Sequence, residues 1–211
     1  MTDLAVNTNI INPEIYFGKS YLSKQRFVSY FLQISLVKKY VSAGDILEIG
    51  LGNGITADLL RKKYNLTTVD INPDLSPDVV ASVDDLQVFG DERFDAAICF
   101  EVLEHLPFNK FKKSLSELKR VSKNLVIISL PYWGYTAGFK IKLPFLGEHC
   151  LKFKITALKK HNFNGQHFWE IGKRNYPLRR VKKEINQAGL KIVSSFWDLE
   201  NPYHYFFVLR K

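Results

Sequence analysis

Short apolar runs alternate along the chain with segments in which apolar residues recur every three or four positions. Short runs predict buried strands, and the wider spacing predicts helices that bury one face. The predicted strands are residues 46–49, 66–70, 78–82, 94–100, 124–130, 191–196 and 205–209. The predicted helices are residues 19–40, 55–63, 109–121 and 177–188. This alternation indicates an α/β protein with a mostly parallel sheet. The short connection at 201–203 favours an antiparallel pair for the last two strands.

One long segment, residues 132–176, does not fit the alternation. It is rich in aromatic side chains and lies between the fifth predicted strand and the last predicted helix. A structureless loop of that length is improbable in a compact domain. We therefore expect a helical, aromatic insertion that acts as a lid over the carboxyl ends of the strands, where open α/β sheets bind ligands.

The length of the chain limits the number of domains, and its charge limits the kinds of partner. The chain has 211 residues, enough for one domain, and a net charge of +9. Residues 45–107 hold thirteen Asp or Glu against four Lys or Arg, whereas residues 138–183 hold twelve Lys or Arg against two Glu. Such a one-sided field can steer an anionic partner, although a solvated basic face is an equally good interpretation.

No apolar run approaches the length of a membrane span, and the first residues do not have the pattern of a signal peptide. The two cysteines, Cys99 and Cys150, are too few for a disulfide framework. We therefore expect a cytoplasmic protein.

A glycine-rich turn joins the first strand to the following helix. Glu48 is followed by alternate glycines at Gly50, Gly52 and Gly54. Glycines at such a turn let the backbone bend sharply and approach a ligand closely. The next strand ends at Asp70, where an acidic residue in a nucleotide-binding fold contacts a ribose. The pattern therefore indicates a site for an adenosine-containing ligand.

The spacing excludes two common ligands and resembles one family. Ile55 stands where a dinucleotide fingerprint needs its third glycine, and no Lys-Ser/Thr pair follows a phosphate-binding loop. The pattern acidic-x-Gly-x-Gly-x-Gly and the segment FDAAICFEVLEHLP at 94–107 instead resemble two motifs of the class I S-adenosylmethionine (SAM)-dependent methyltransferases. The resemblance covers roughly residues 44–131 and is to the small-molecule branch that includes ubiquinone-biosynthesis enzymes.

This resemblance implies a doubly wound, Rossmann-like, seven-stranded methyltransferase sheet with an antiparallel last strand. It implies a single domain over residues 1–211. The parts are an N-terminal helical region at 1–43, a SAM-binding core at 44–131, the insertion at 132–176, and a C-terminal helix and hairpin at 177–211.

The resemblance also implies SAM as cofactor and S-adenosylhomocysteine as product. The glycine turn with Glu48 would form the wall at the methionine side, Asp70 would accept hydrogen bonds from the ribose hydroxyls, and Val83 and Asp84 would contact adenine. The predicted cofactor-binding residues are Glu48, Gly50, Gly52, Gly54, Asp70, Ile71, Val83, Asp84 and Glu101.

Three polar residues follow the fourth strand, beside the expected position of methyl transfer: Glu101, Glu104 and His105. We take His105 as a candidate general base or acceptor-positioning residue, with Glu101 and His167 as further catalytic candidates. Glu-x-x-Glu-His is also a pattern that could hold a hard cation, with His149, His161 or His167 as an added ligand. A purely structural role for the segment is the third alternative. We expect no metal.

The expected function is methyl transfer to an oxygen or nitrogen of a small acceptor that is anionic or linked to a glycan or lipid. One alternative is an RNA methyltransferase, which the positive charge favours, although no recognisable RNA-binding module is appended. Nucleic acid is thus the less favoured partner. A second alternative is a non-catalytic SAM-fold protein that acts as a partner subunit. The acceptor and the oligomeric state stay open.

Overall fold

The computed structural model describes residues 12–19, 21–145, 147–156 and 159–211, so the start of the predicted N-terminal region lies outside the described residues. The helices are α1 Lys24–Tyr40, α2 Ile55–Leu60, α3 Phe111–Val121 and α4 Leu178–Gln187. The strands are β1 Asp45–Ile49, β2 Asn65–Asp70, β3 Val79–Val80, β4 Phe94–Phe100, β5 Ser122–Pro131, β6 Tyr135–Leu143, β7 Gly147–Ile155, β8 Lys191–Trp197 and β9 His204–Arg210. None of the helices in these ranges has the length and apolar character that a membrane span requires.

Seven strands form one sheet in the order β3-β2-β1-β4-β5-β9-β8. β1 to β5 are parallel, and β9 runs antiparallel to both β5 and β8. The predicted fold class is confirmed: the sheet is Rossmann-like and doubly wound, with an antiparallel last strand. Two apolar clusters fill the two faces of the sheet. The strand order reverses between β1 and β4, and in open α/β sheets ligands bind at the carboxyl ends of strands at such a point.

Helix α1 packs differently from what its apolar spacing suggests. Phe27 and Phe31 are exposed, whereas the polar residues Ser29 and Gln33 are buried. The Ser29 hydroxyl lies 3.0 Å from Nδ1 of His204, at the start of β9. Buried polar groups need hydrogen-bond partners, and these partners come from distant parts of the chain. The polar side of α1 is therefore turned towards the end of the sheet that carries the glycine turn.

The insertion after β5 begins as an antiparallel hairpin, β6–β7, where we expected helical structure. Its strands alternate apolar residues with lysines, as in residues 139–142 and 151–154, and this period of two is that of a strand. Gly147, at φ +78°, follows the turn in a conformation that suits glycine. The ammonium group of Lys154 donates to the carbonyl oxygen of Tyr132 at 2.9 Å, so the lysine face of the hairpin meets the body of the protein. The aromatic and aliphatic face is turned to solvent.

Candidate active site

A cavity of about 860 Å³ opens at the carboxyl ends of β1, β2 and β4. This volume is within the usual range of ligand pockets, roughly 300–1,000 Å³. The predicted site residues that line it are Glu48, Gly50, Gly52, Asp70, Ile71, Val83, Glu101, His105 and His167. Gly54 and Asp84 are not among the lining residues. The topology therefore brings most of the predicted cofactor and catalytic residues into one cavity.

The backbone geometry of the turn requires glycine at Gly50 and Gly52. Gly50 and Gly52 have φ values of +88° and +55°, a region that residues with a side chain rarely adopt. A Cβ atom added at Gly50 would lie 2.3 Å from Cγ2 of Val102, which is far inside van der Waals contact. Gly54, at φ +75°, is the N-cap residue of α2. Its glycine serves the turn into the helix rather than the wall of the cavity.

Asp70 is fixed by the backbone of the turn. Its Oδ2 accepts a hydrogen bond from the amide of Leu51 at 2.8 Å, and its Oδ1 accepts one from the amide of Asn72 at 2.9 Å. Each carboxylate oxygen has two acceptor sites, so each can accept one more hydrogen bond from the cavity. Asp70 is thus oriented to receive two hydroxyl donors.

Glu48 lies under the glycine turn and is almost fully buried. Its Oε2 has no hydrogen-bond partner among the described residues. Burial raises the pKa of Glu48 to about 8, against the opposing effect of Arg61. The side chain is therefore mostly protonated at neutral pH, and a cation that enters this end of the cavity would stabilise its ionised form.

The loop after β3 carries the two residues predicted to contact adenine, and one of them lines the cavity. Val83 lines the cavity next to Ser82. The carboxylate of Asp84 is already engaged, because its Oδ1 accepts from the Ser82 hydroxyl at 2.5 Å and its Oδ2 pairs with Nζ of Lys110 at 3.1 Å. The ion pair holds this loop against the start of α3, so Asp84 has a structural role here.

Glu101, at the end of β4, has a backbone φ of +56°. Positive φ is uncommon for a residue with a side chain, and such strain clusters at functional sites. Its Oε1 accepts from the Ser129 hydroxyl at 2.8 Å, and its Oε2 lies 3.1 Å from Nε2 of His204. Burial acts to raise the pKa of Glu101, but His204 and Ser129 outweigh it and hold that pKa below its ordinary value. Glu101 is therefore a buried, ionised carboxylate in the cavity wall.

His105 and His167 lie side by side, with ring centroids 5.0 Å apart. Nδ1 of His105 donates to the carbonyl oxygen of Gln166 at 3.1 Å, and Nδ1 of His167 lies 3.0 Å from Oε1 of Glu170. Burial, together with the neighbouring imidazole of His167, lowers the pKa of His105 to about 4, so the His105 imidazole is neutral at pH 7. The fully buried carboxylate of Glu104 completes the group.

The segment that carries His167 is bound directly to the loop after β4. The amide of Phe168 donates to the carbonyl oxygen of Glu104 at 2.9 Å, and Nε1 of Trp169 donates to that of Leu106 at 3.1 Å. Trp169 is fully buried, with its ring against Phe111. This packing explains how a residue more than sixty positions away reaches the cavity. Among the described residues of the insertion, the cavity wall draws on residues 164–168 and not on the hairpin.

Six further residues, none of them predicted from the sequence, close the cavity from the N-terminal side and from the β8–β9 loop. These are Tyr16, Tyr21, Arg26, Tyr30, Gln33 and Tyr203. The guanidinium of Arg26 lies 4.6 Å from the centre of the Tyr21 ring. The hydroxyl of Tyr203 donates to Oε1 of Glu170 at 2.9 Å. The sequence pattern that could have indicated these residues is the pair Tyr203-His204, two polar aromatic residues in a short connection between buried strands.

Comparison with known proteins agrees with this geometry. Residues 47–128 match the methyltransferase domain family. This segment runs from β1 into β5 and includes the glycine turn, Asp70, Glu101 and His105. A search of curated protein sequences found no match.

Solved structures share the fold along nearly the whole chain. A 1,6-didemethyltoxoflavin-N1-methyltransferase from Burkholderia thailandensis, crystallised with S-adenosylhomocysteine, has a TM-score of 0.62 and 15% identity, with 96% of this chain and 91% of that chain covered. A SAM-dependent methyltransferase from Aquifex aeolicus has a TM-score of 0.62 and 14% identity, with 95% and 98% covered.

The [4+2]-cyclase SpnF is also similar, with a TM-score of 0.58 and 13% identity over 88% of this chain and 82% of that chain. At these identities the likeness shows the fold alone. The chain thus matches the methyltransferase domain family over residues 47–128 and shares the fold of the class I SAM-dependent methyltransferases.

Proposed function

We propose that the protein transfers a methyl group from SAM to an oxygen or nitrogen of a small acceptor molecule. One observation carries the proposal. A single cavity has the glycine turn and Asp70 on one wall and a group of carboxylates and imidazoles, Glu101 to His105 with His167, on another. The first wall suits an adenosine-containing cofactor, and the second suits an acceptor that must be held and lose a proton.

The residues at the cofactor end fit SAM. The free acceptor sites of Asp70 match the two hydroxyls of a ribose. The buried carboxyl of Glu48 favours a ligand with positive charge at the methionine end, as an ammonium or sulfonium provides. Ile71 and Val83 add apolar surface where an adenine ring would lie. The Burkholderia relative, crystallised with S-adenosylhomocysteine, supports this assignment.

Methyl transfer needs alignment more than it needs special functional groups. SAM, when bound, supplies an electrophilic methyl group on a sulfonium that leaves as a neutral thioether. A lone pair of the acceptor forms the new bond to carbon as the bond to sulfur breaks, and the acceptor loses one proton. Glu101, His105 and His167 are each fixed by a hydrogen bond to another residue of the protein, so they can hold an acceptor in line without reorganising.

An anionic acceptor is favoured by the charge near the second wall. Arg26 lines the cavity, and its positive charge acts to lower the pKa of Glu101 and His105. No carboxylate among the described residues forms an ion pair with Arg26, whose guanidinium lies over Tyr21. A phosphate or carboxylate on the acceptor would supply the missing partner. A nucleotide-linked sugar or a lipid-linked glycan has such a group.

The test is a turnover screen. The purified protein is incubated with SAM carrying a deuterated methyl group and with fractions of a cell extract, and mass spectrometry identifies molecules that gain the label. The Asp70→Ala variant is the control for cofactor-dependent transfer. The proposal expects labelled products with the wild-type protein and much less label with Asp70→Ala at the same subsaturating SAM concentration. A protein that binds SAM and labels no fraction would favour the non-catalytic alternative.

A further inference from the structure

The carboxylate of Glu104 is the least satisfied polar group in the cavity wall. The residue is 0% exposed, and neither Oε1 nor Oε2 has a hydrogen-bond partner among the described residues. A buried carboxylate without a partner is unfavourable unless it is protonated or meets a cation. Glu101 lies nearby but does not supply a hydrogen-bond partner, because its own carboxylate oxygens contact Ser129 and His204.

Both histidines beside Glu104 use their Nδ1 atom for a hydrogen bond within the protein. Nδ1 of His105 is bound to a carbonyl oxygen, and Nδ1 of His167 is bound to the carboxylate of Glu170. Nε2 of each ring is therefore left for another partner. Nε2 of His167 lies 4.0 Å from Oε1 of Glu104, and one ligand atom from each of Glu104, His105 and His167 lies within 4.8 Å of the others. Metal-ligating histidines are oriented in this way, with the second nitrogen bound to a carbonyl or carboxylate.

We propose that Glu104, His105 and His167 form a binding site for one divalent transition-metal ion at the acceptor end of the cavity. Bonds of about 2.0–2.2 Å to the metal place ligand atoms about 3–4 Å apart, so the three side chains need to close by only about 1 Å. Two imidazoles and one carboxylate suit Zn²⁺, Mn²⁺ or Fe²⁺ better than the all-oxygen preference of Mg²⁺.

The structure also selects which histidine takes part. His149 lies exposed on β7, and Nε2 of His161 is bound to the carbonyl oxygen of His167 at 2.9 Å. Of the histidines considered as an added ligand, His167 is the one that reaches Glu104. The proposed site goes beyond the sequence-based expectation, which assigned no metal.

Three protein ligands leave coordination positions open, as in catalytic metal sites. The role of the ion rests on the proposed function. An acceptor hydroxyl bound at an open position would have a lowered pKa. Its proton would pass to water, and the oxygen lone pair would form the bond to the methyl carbon while the bond to sulfur breaks. The site therefore narrows the acceptor class to a molecule with a hydroxyl group, such as a sugar or a phenol.

The experiment measures metal binding without turnover. The full chain is stripped with a chelator, and Zn²⁺, Mn²⁺ and Mg²⁺ are titrated by calorimetry, with electron paramagnetic resonance to follow bound Mn²⁺. We expect one Zn²⁺ or Mn²⁺ per chain and much weaker Mg²⁺ binding. Glu104→Gln should raise the Kd by about 100-fold or more, and Glu170→Gln, which changes a positioning residue, by about 10-fold. His149→Gln, at an exposed histidine, is the matched control and should leave the Kd unchanged.

SAM titrations on the same samples report folding and separate the two proposals. SAM binding with no stoichiometric metal binding, or with metal binding that Glu104→Gln does not weaken, overturns the metal site alone. Metal binding that depends on Glu104 in a protein that does not bind SAM supports the metal site and overturns the proposed function.

Discussion

Two carboxyl groups at the cofactor end of the cavity have opposite environments. Asp70 accepts hydrogen bonds from two backbone amides, which fix the orientation of its carboxylate. Glu48 is buried, and burial raises its pKa to about 8. The same cavity therefore has one carboxylate oriented by the backbone to accept from hydroxyl groups and one carboxyl that ionises when a positive ligand is bound.

This difference predicts a pH dependence of SAM affinity. In the free protein, the Glu48 carboxyl is protonated below about pH 8, and a positive ligand favours the ionised form. Binding therefore releases a proton, so affinity should rise with pH, by at most about ten-fold per unit, and level off above about pH 8. Calorimetry from pH 6 to 9, in buffers of different ionisation enthalpy, measures both affinity and proton release.

The control for this experiment is Glu48→Gln, which keeps the shape of the side chain and removes its titration. Any pH dependence that comes from groups on SAM itself persists in this variant. A wild-type profile identical to that of Glu48→Gln would mean that Glu48 does not ionise on binding.

At the scale of elements, the sheet is the part that the sequence predicts best. β1, β4 and β5 are mostly apolar because strands of a parallel sheet are buried on both faces. The glycine turn could be predicted because its φ values permit little else. The buried face of α1 could not, since Ser29 is buried through His204, and no local periodicity encodes a partner 175 positions away.

The pattern of the sequence contains enough information to predict the hairpin. The many aromatic residues of the insertion favoured a helical interpretation instead. Lysine alternates with apolar residues through both strands, which is the strand period. The position of residues 164–168 in the cavity wall, unlike the hairpin, could not be predicted from a local sequence pattern. It depends on the burial of Trp169 and on backbone hydrogen bonds to the loop after β4, which are contacts between distant segments.

The hairpin should be dispensable for cofactor binding. Ala137 and Phe153 are register partners, so residues 138–152 can be replaced by Asn-Gly, the preferred two-residue turn. None of the described cavity-lining residues lies in the replaced segment. Because changes at sites distant from one another act independently, we expect the Kd for SAM to change by less than about two-fold. Calorimetry measures this Kd.

The shortened protein also needs a check on folding, for which the circular dichroism spectrum and melting temperature serve. If it folds and loses SAM binding, the hairpin contributes to the cofactor site. That result would contradict the division of the insertion into an outer hairpin and a cavity-lining segment at 164–168.

At the scale of the whole molecule, charge is distributed unevenly. The net charge is +9, yet residues 45–107, which include the glycine turn and Asp70, are acidic. The basic residues concentrate in the insertion and in α4. A field of this kind draws anionic partners towards the molecule, and screening by salt weakens it.

The positive electrostatic field alone does not show that RNA is the acceptor. Measurements of RNA binding and RNA labelling decide between RNA and a small acceptor molecule. We expect a short single-stranded RNA to bind weakly and to gain no label from deuterated SAM. Fluorescence anisotropy between 50 and 200 mM salt measures the binding, and nucleoside mass spectrometry measures the label. Tight binding that falls steeply with salt, together with labelled RNA, would move the acceptor class to nucleic acid.

The measurement that tests the account most directly is a calorimetric titration of SAM into the wild-type protein and the Asp70→Ala variant. Exposed Asp74→Ala serves as the matched control. The account predicts one SAM per chain, with affinity lowered in Asp70→Ala by about 1–3 kcal/mol, or roughly 5- to 150-fold, and unchanged in Asp74→Ala. Absence of SAM binding by the folded wild-type protein, or equal affinity in all three proteins, would contradict it.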